Sequence, residues 1–114
     1  MPNIFAAIPE ELPGELVETL TATRSVRIER IVSRGHVSPE RGWYDQIEQE
    51  WVILLQGEAV VAYENGSEVR LFPGDYIHIP AHCKHRVVWT AKDRDTVWLA
   101  IFLSDDRVDQ GGGL

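Results

Sequence analysis

The stretch Glu50-Trp51-Val52-Ile53-Leu54-Leu55-Gln56-Gly57, followed after a spacer by Gly74-Asp75-Tyr76-Ile77-His78-Ile79-Pro80-Ala81-His82-Cys83-Lys84-His85, decides how this chain is read. Trp51 to Leu55 is a strongly apolar strand. Gln56-Gly57 turns it, and Ala59 to Tyr63 runs back as its hairpin partner. Asn65-Gly66 tolerates positive φ at both residues and marks the next turn. Val69 to Phe72 follows as a strand, Pro73-Gly74-Asp75 turns again, and Tyr76 to Ile79 is a strand that Pro80 ends.

Working outward, the same period of two continues on both sides. Val26, Ile28, Arg30 and Val32 share one face of a strand, with Arg27, Glu29 and Ile31 on the other. Arg86 to Trp89 and Thr96 to Leu103 are the last two strands, separated by the charged turn Lys92 to Asp95. Short strands with turns at close spacing define an all-β sandwich or barrel. The polar stretch His36 to Gln49, with Pro39 and Gly42, reads as a long loop, a place where function often sits. Before the strands, Pro9-Glu10-Glu11 and then Glu15 to Leu20 predict a short helical segment, with Leu16, Val17 and Leu20 on one face. The expected layout is an arm over 1–24, the barrel over 25–103, and a flexible acidic and glycine-rich tail over 104–114.

Composition narrows the classes of function. The formal charge is −7, and only Lys84 and Lys92 among the eleven basic residues are lysines. An acidic domain without a basic run repels phosphate backbones, so a nucleic-acid partner is not expected. Cys83 stands alone, which rules out an internal disulfide. The longest apolar run, Val97 to Leu103, is far short of a membrane span, and no signal sequence is read at the start, so the expectation is a cytoplasmic protein. That run is apolar on both faces and needs cover on its outer side. The N-terminal segment or a second copy of the chain would supply it, and a homodimer is the favoured expectation.

The two quoted segments resemble the paired motifs of the cupin family. The first is similar to the second half of motif one, a glutamate, six residues and a turn glycine; the second is similar to motif two, a glycine–aspartate turn leading through a strand to proline and a later histidine. The resemblance implies a double-stranded β-helix, or jelly-roll barrel, with Glu50 and His85 facing each other across a small-molecule pocket. It departs in one respect. The pair of histidines that opens motif one falls here in Trp43-Tyr44-Asp45-Gln46, and His82 replaces a usual glycine of motif two.

These residues define the candidate site. Glu50 and His85 are candidate catalytic acid/base groups and candidate metal ligands. Asp45, Gln46 and His36 are candidates to complete an atypical ligand set for one divalent ion (Fe, Mn, Zn or Ni), and their oxygen donors suit harder cations. Arg30, on the Val26 face, is a candidate to bind an anionic ligand, and Tyr44 and Trp89 are candidates to stack on one. Each has a plainer reading: loop hydrogen bonding for Asp45 and Gln46, a solvent-facing loop position for His36, a salt bridge at the barrel end for Arg30, core packing for the aromatics. The resemblance leaves oxygenase, isomerase or decarboxylase chemistry open, beside a metal-free sugar-isomerase-like pocket or a non-catalytic ligand sensor.

Overall fold

The structure, a computed structural model, describes residues 1–104. The expected flexible tail lies, apart from Ser104, outside the described residues. Eight strands follow in chain order: β1 (Leu16–Ala22), β2 (Val26–Ser33), β3 (Gln49–Gln56), β4 (Ala59–Tyr63), β5 (Glu68–Leu71), β6 (Tyr76–Ile79), β7 (His85–Thr90) and β8 (Thr96–Leu103). They pair antiparallel in two sheets, β1-β2-β8-β3-β6 and β5-β4-β7. The all-β jelly roll implied by the motifs is therefore the architecture.

The predicted turns fall where expected. Gly57, Gly66 and Gly74 adopt positive φ. Asp75 closes its turn by accepting the Phe72 amide on Oδ2 at 2.8 Å while its own amide donates to Phe72 O at 2.9 Å.

Register lines the strands of the larger sheet into rows. On the inner face, Arg27 pairs with Phe102, Phe102 with Glu50, and Glu50 with Ile79. The next inner row is Glu29, Ala100, Val52 and Ile77, and the next is Ile31, Trp98 and Leu54. Val61 and Leu71 of the smaller sheet meet these rows, and Val52, Leu54, Ala59, Trp98, Ala100 and Phe102 complete one buried cluster. Burying side chains such as Leu54 and Leu71 stabilises the fold by about 1.5–3 kcal/mol each.

One expectation is corrected. Residues 16–22 form no helix; they are β1, an edge strand on β2. Val17, Thr19 and Thr21 are β-branched at every second position, a pattern that fits a pleated surface and is stiff in a helix. Leu16, Val17 and Leu20 would share one face of a helix, but pairing with β2 makes the segment a strand in which Leu16 and Val17 point to opposite faces. No helix among the described residues is long and apolar enough to cross a membrane.

Candidate functional site

The inner rows do not fill the space between the sheets. They leave a pocket of about 500 Å³, walled by Val52, Val61, Ile77, Ile79, Val87 and Phe102 and carrying a few polar groups. That size and make-up are those of a small-molecule site, roughly 300–1,000 Å³ and mostly apolar.

Glu50 and His85 enter this pocket from opposite sheets, as the motifs implied. Their side chains are 11% and 7% exposed, and Glu50 Oε1 lies 3.6 Å from His85 Nε2. This is an ion-pair separation, slightly longer than a hydrogen bond. His85 Nδ1 sits 2.9 Å from Cys83 O. A carbonyl only accepts, so Nδ1 carries a proton and Nε2 is the nitrogen free to exchange one. Burial by itself would lower the His85 pKa; the Glu50 carboxylate and the Cys83 carbonyl outweigh it and hold the imidazole above its ordinary value of 6.5.

The loop from His36 to Gln46 runs beside β7. Tyr44 and His85 exchange backbone hydrogen bonds of 2.9 and 3.2 Å, and their rings lie 5.7 Å apart. Ser38 brackets Val87, donating its amide to Val87 O and accepting the Val87 amide on Oγ, each at 2.9 Å. Tyr44, Gln46 and His36 thereby line the pocket. His36 accepts the Arg34 amide on Nδ1 at 2.9 Å, which leaves its Nε2 as a donor and not a ligand lone pair.

Other candidates stand elsewhere. Asp45 does not line the pocket; its Oδ1 is 2.8 Å from His82 Nδ1 at the surface. His82 has φ 61°, so it occupies the left-handed conformation that the usual glycine of the motif would take. Arg30 faces away from the pocket. It bonds Glu18 Oε1 and the carbonyls of Ile4 and Ala6, and so pins the N-terminal segment to the outside of the sheet. Trp89 is also outside, against the Arg70 guanidinium. Simple alternation from His85 puts Trp89 inward, but the β4–β7 register slips between Val60 and Val61, and Val88 is the extra residue that turns Trp89 over.

Several pocket residues were not among the candidates. Arg27 and Glu29 occupy the face of β2 opposite Arg30. Arg27 bonds Glu29 and Glu48 at 2.8 and 2.9 Å and lies 4.2 Å from the centre of the Phe102 ring. Glu15 lines the pocket from the N-terminal segment and accepts from Ser33 Oγ, which in turn accepts from Trp98 Nε1. Burial raises the Glu15 pKa, against the opposing effects of Ser33 and His36.

These donors do not fit a metal centre. Among the described residues no group of three or more His, Cys, Asp or Glu is placed to hold an ion. Asp45 is engaged outside and His36 presents a donor, so of the candidate set Glu50, His85 and the neutral amide of Gln46 are what the pocket holds.

A family model described as "Cupin domain" matches residues 31–102. With both motifs, the two facing sheets and the pocket in place, the chain belongs to the cupin family. A crystal structure from Ralstonia eutropha, described as a "putative mannose-6-phosphate isomerase", is 40% identical over 91% of this chain and 97% of its own, with a TM-score of 0.87. A cupin superfamily protein from Desulfitobacterium hafniense is 24% identical, covers 86% of this chain and 84% of its own, and has a TM-score of 0.71. A cupin-superfamily sugar phosphate isomerase from Silicibacter pomeroyi is 20% identical, covers 79% and 59%, and has a TM-score of 0.64. The last two likenesses speak to the fold alone. No curated protein matches the chain.

Proposed function

We propose that this cupin binds a small, polar, uncharged molecule and moves a proton on it with Glu50 and His85, without a metal. The observation that carries this reading is the buried Glu50–His85 pair, 3.6 Å apart in a pocket of about 500 Å³ where, among the described residues, no third His, Cys, Asp or Glu joins them in a metal-holding group. The Glu50 carboxylate takes a proton from a carbon next to a carbonyl, and the C–H electron pair becomes the new C=C bond. His85 Nε2–H protonates the carbonyl oxygen, giving an enediol. Glu50 then returns its proton to the former carbonyl carbon while the now neutral His85 Nε2 takes the hydroxyl proton of the neighbouring, hydroxyl-bearing carbon, whose oxygen becomes the new carbonyl; this completes an aldose–ketose type of isomerisation. The "isomerase" description of the Ralstonia relative supports the reaction type.

The charge of the lining argues for an uncharged ligand. Glu15, Glu29 and Glu50 face the pocket, and its one arginine, Arg27, is already matched by Glu29 and Glu48. A phosphate group inside the pocket would meet carboxylates and, among the described residues, no free cation.

The test is deuterium wash-in. Wild-type protein is incubated in D₂O with unphosphorylated aldoses and ketoses, and loss of the proton next to the carbonyl is followed by NMR. We expect exchange with at least one of them, reduced at least about 100-fold in Glu50→Gln. Ligand-induced stabilisation without any exchange would turn the reading into a binding module.

We also propose a homodimer through the outer face of the larger sheet. Ile28, Ile101, Trp51 and His78 form one outer row, and Arg30, Leu99, Ile53 and Tyr76 another, so the middle of the face, over β8 and β3, is apolar. Tyr76 is 63% exposed and the other apolar members are half-buried, an apolar face of the kind association covers.

A further inference from the structure

We propose that Arg41 and Arg86 form a second site, for a small oxyanion of the phosphate class, on the outer side of the loop that walls the pocket. The site is a hollow of about 130 Å³, lined by the two arginines together with Ser38, Trp43 and Tyr44. Successive residues of a strand point to opposite faces, so His85 faces the large pocket while Arg86 faces this hollow. Ser38 and Tyr44 belong to the wall between the two.

Two observations point to an anion. Arg86 Nε is the one buried side-chain nitrogen or oxygen among the described residues that has no hydrogen-bond partner. Its Nη1 bonds the Glu40 carbonyl and its guanidinium stacks 5.7 Å from the centre of the Trp43 ring, so the side chain is held in place with one donor unspent. A buried unmatched donor is unfavourable and calls for an acceptor. The second observation is the pairing pattern. Arg27, Arg30, Arg34, Arg70 and Arg94 each sit against a carboxylate. Arg41 and Arg86, in a chain of net charge −7, have no carboxylate partner among the described residues. Gathering two guanidiniums in one small hollow is repulsive until an anion lies between them. Guanidinium geometry matches two oxygens of a phosphate at once. A bound anion would also tie Arg41, on the loop, to Arg86, on β7, and so steady the segment that carries Tyr44 and Gln46.

The test uses the full chain, labelled for NMR, titrated with inorganic phosphate at constant ionic strength. We expect saturable shifts of the Trp43 indole and Arg86 Nε–H signals, with binding weakened about tenfold or more in Arg86→Gln and in Arg41→Gln. Arg41 is exposed, so Arg41→Gln folds whatever Arg86→Gln does. A parallel titration with methyl phosphate distinguishes sources: tighter binding than inorganic phosphate identifies a phosphate ester, equal or weaker binding identifies the free ion. A shift that never saturates, or one that Arg41→Gln and Arg86→Gln both retain at wild-type strength, overturns the proposal.

Discussion

His85 is a buried imidazole that the fold keeps charged more readily than water does. Burial pulls its pKa down, but the Glu50 carboxylate and the Cys83 carbonyl favour the cation and win. Because the folded pKa lies above the unfolded one, the stabilising effect of the charged pair is complete below about 6.5 and is lost as pH rises through the raised value. An NMR titration of the His85 ring is expected to show a midpoint above the ordinary 6.5. In Glu50→Gln the burial stays and the carboxylate goes, so the midpoint should drop; an unmoved midpoint would mean that the pair is not coupled. His82 offers a different residue-scale test. A glycine there would relieve the left-handed backbone at φ 61° while losing the exposed bond to Asp45. The two effects nearly cancel, so His82→Gly should change unfolding free energy by under about 1 kcal/mol in denaturant titrations. His82→Val, β-branched in that conformation, should cost about 1–2 kcal/mol. At this scale Glu50 and His85 were legible because a motif with fixed spacing carries them. Arg27 and Glu29 were not, since β2 alternates arginine with apolar residues and nothing in its sequence says which face turns inward.

Strands and their irregularities set where side chains end up. Trp89 left the pocket because one extra residue in β7, Val88, reversed the alternation. A bulge of this kind has no composition signal in Arg86 to Trp89, so strict period two misplaces everything beyond it. The N-terminal segment shows the same limit. Its residue spacing suited a helix face, yet β1 forms because β2 offers an edge. Arg30 then stitches the preceding residues down through Ile4 O and Ala6 O, and Arg34 does so through Pro9 O and Glu10 O. Arg30→Met should therefore free this segment: limited proteolysis between residues 4 and 14 should speed up, with about 1–3 kcal/mol lost in stability. Cleavage at the wild-type rate would show that the segment is held by other contacts. Gly57 is the strictest element boundary. It has φ 91°, and a Cβ there would overlap Thr96 of β8. Gly57→Ala should cost at least about 2 kcal/mol in thermal or denaturant unfolding.

At the scale of the molecule, the two sheets, their order and the pocket follow from turn spacing and the paired motifs, which is why the fold was readable nearly throughout. The pocket's charge was not, because Glu15, Arg27 and Glu29 come from segments outside both motifs. The middle of the outer face of the larger sheet, over β8 and β3, is apolar, and light scattering at micromolar concentration should report a dimer that Ile101→Lys converts to monomer. A wild-type monomer would leave that face without its proposed partner. In the proposed function Glu50 and His85 act as a proton-transfer pair and not as two ligands of a metal. This assignment is tested most directly by elemental analysis of the purified wild-type protein after incubation with Fe²⁺, Mn²⁺, Zn²⁺ or Ni²⁺ and desalting, alongside Glu50→Gln and His85→Ala. Far less than one equivalent of any of these metals is expected in all three proteins. One equivalent in the wild type, lost in both variants, would contradict it.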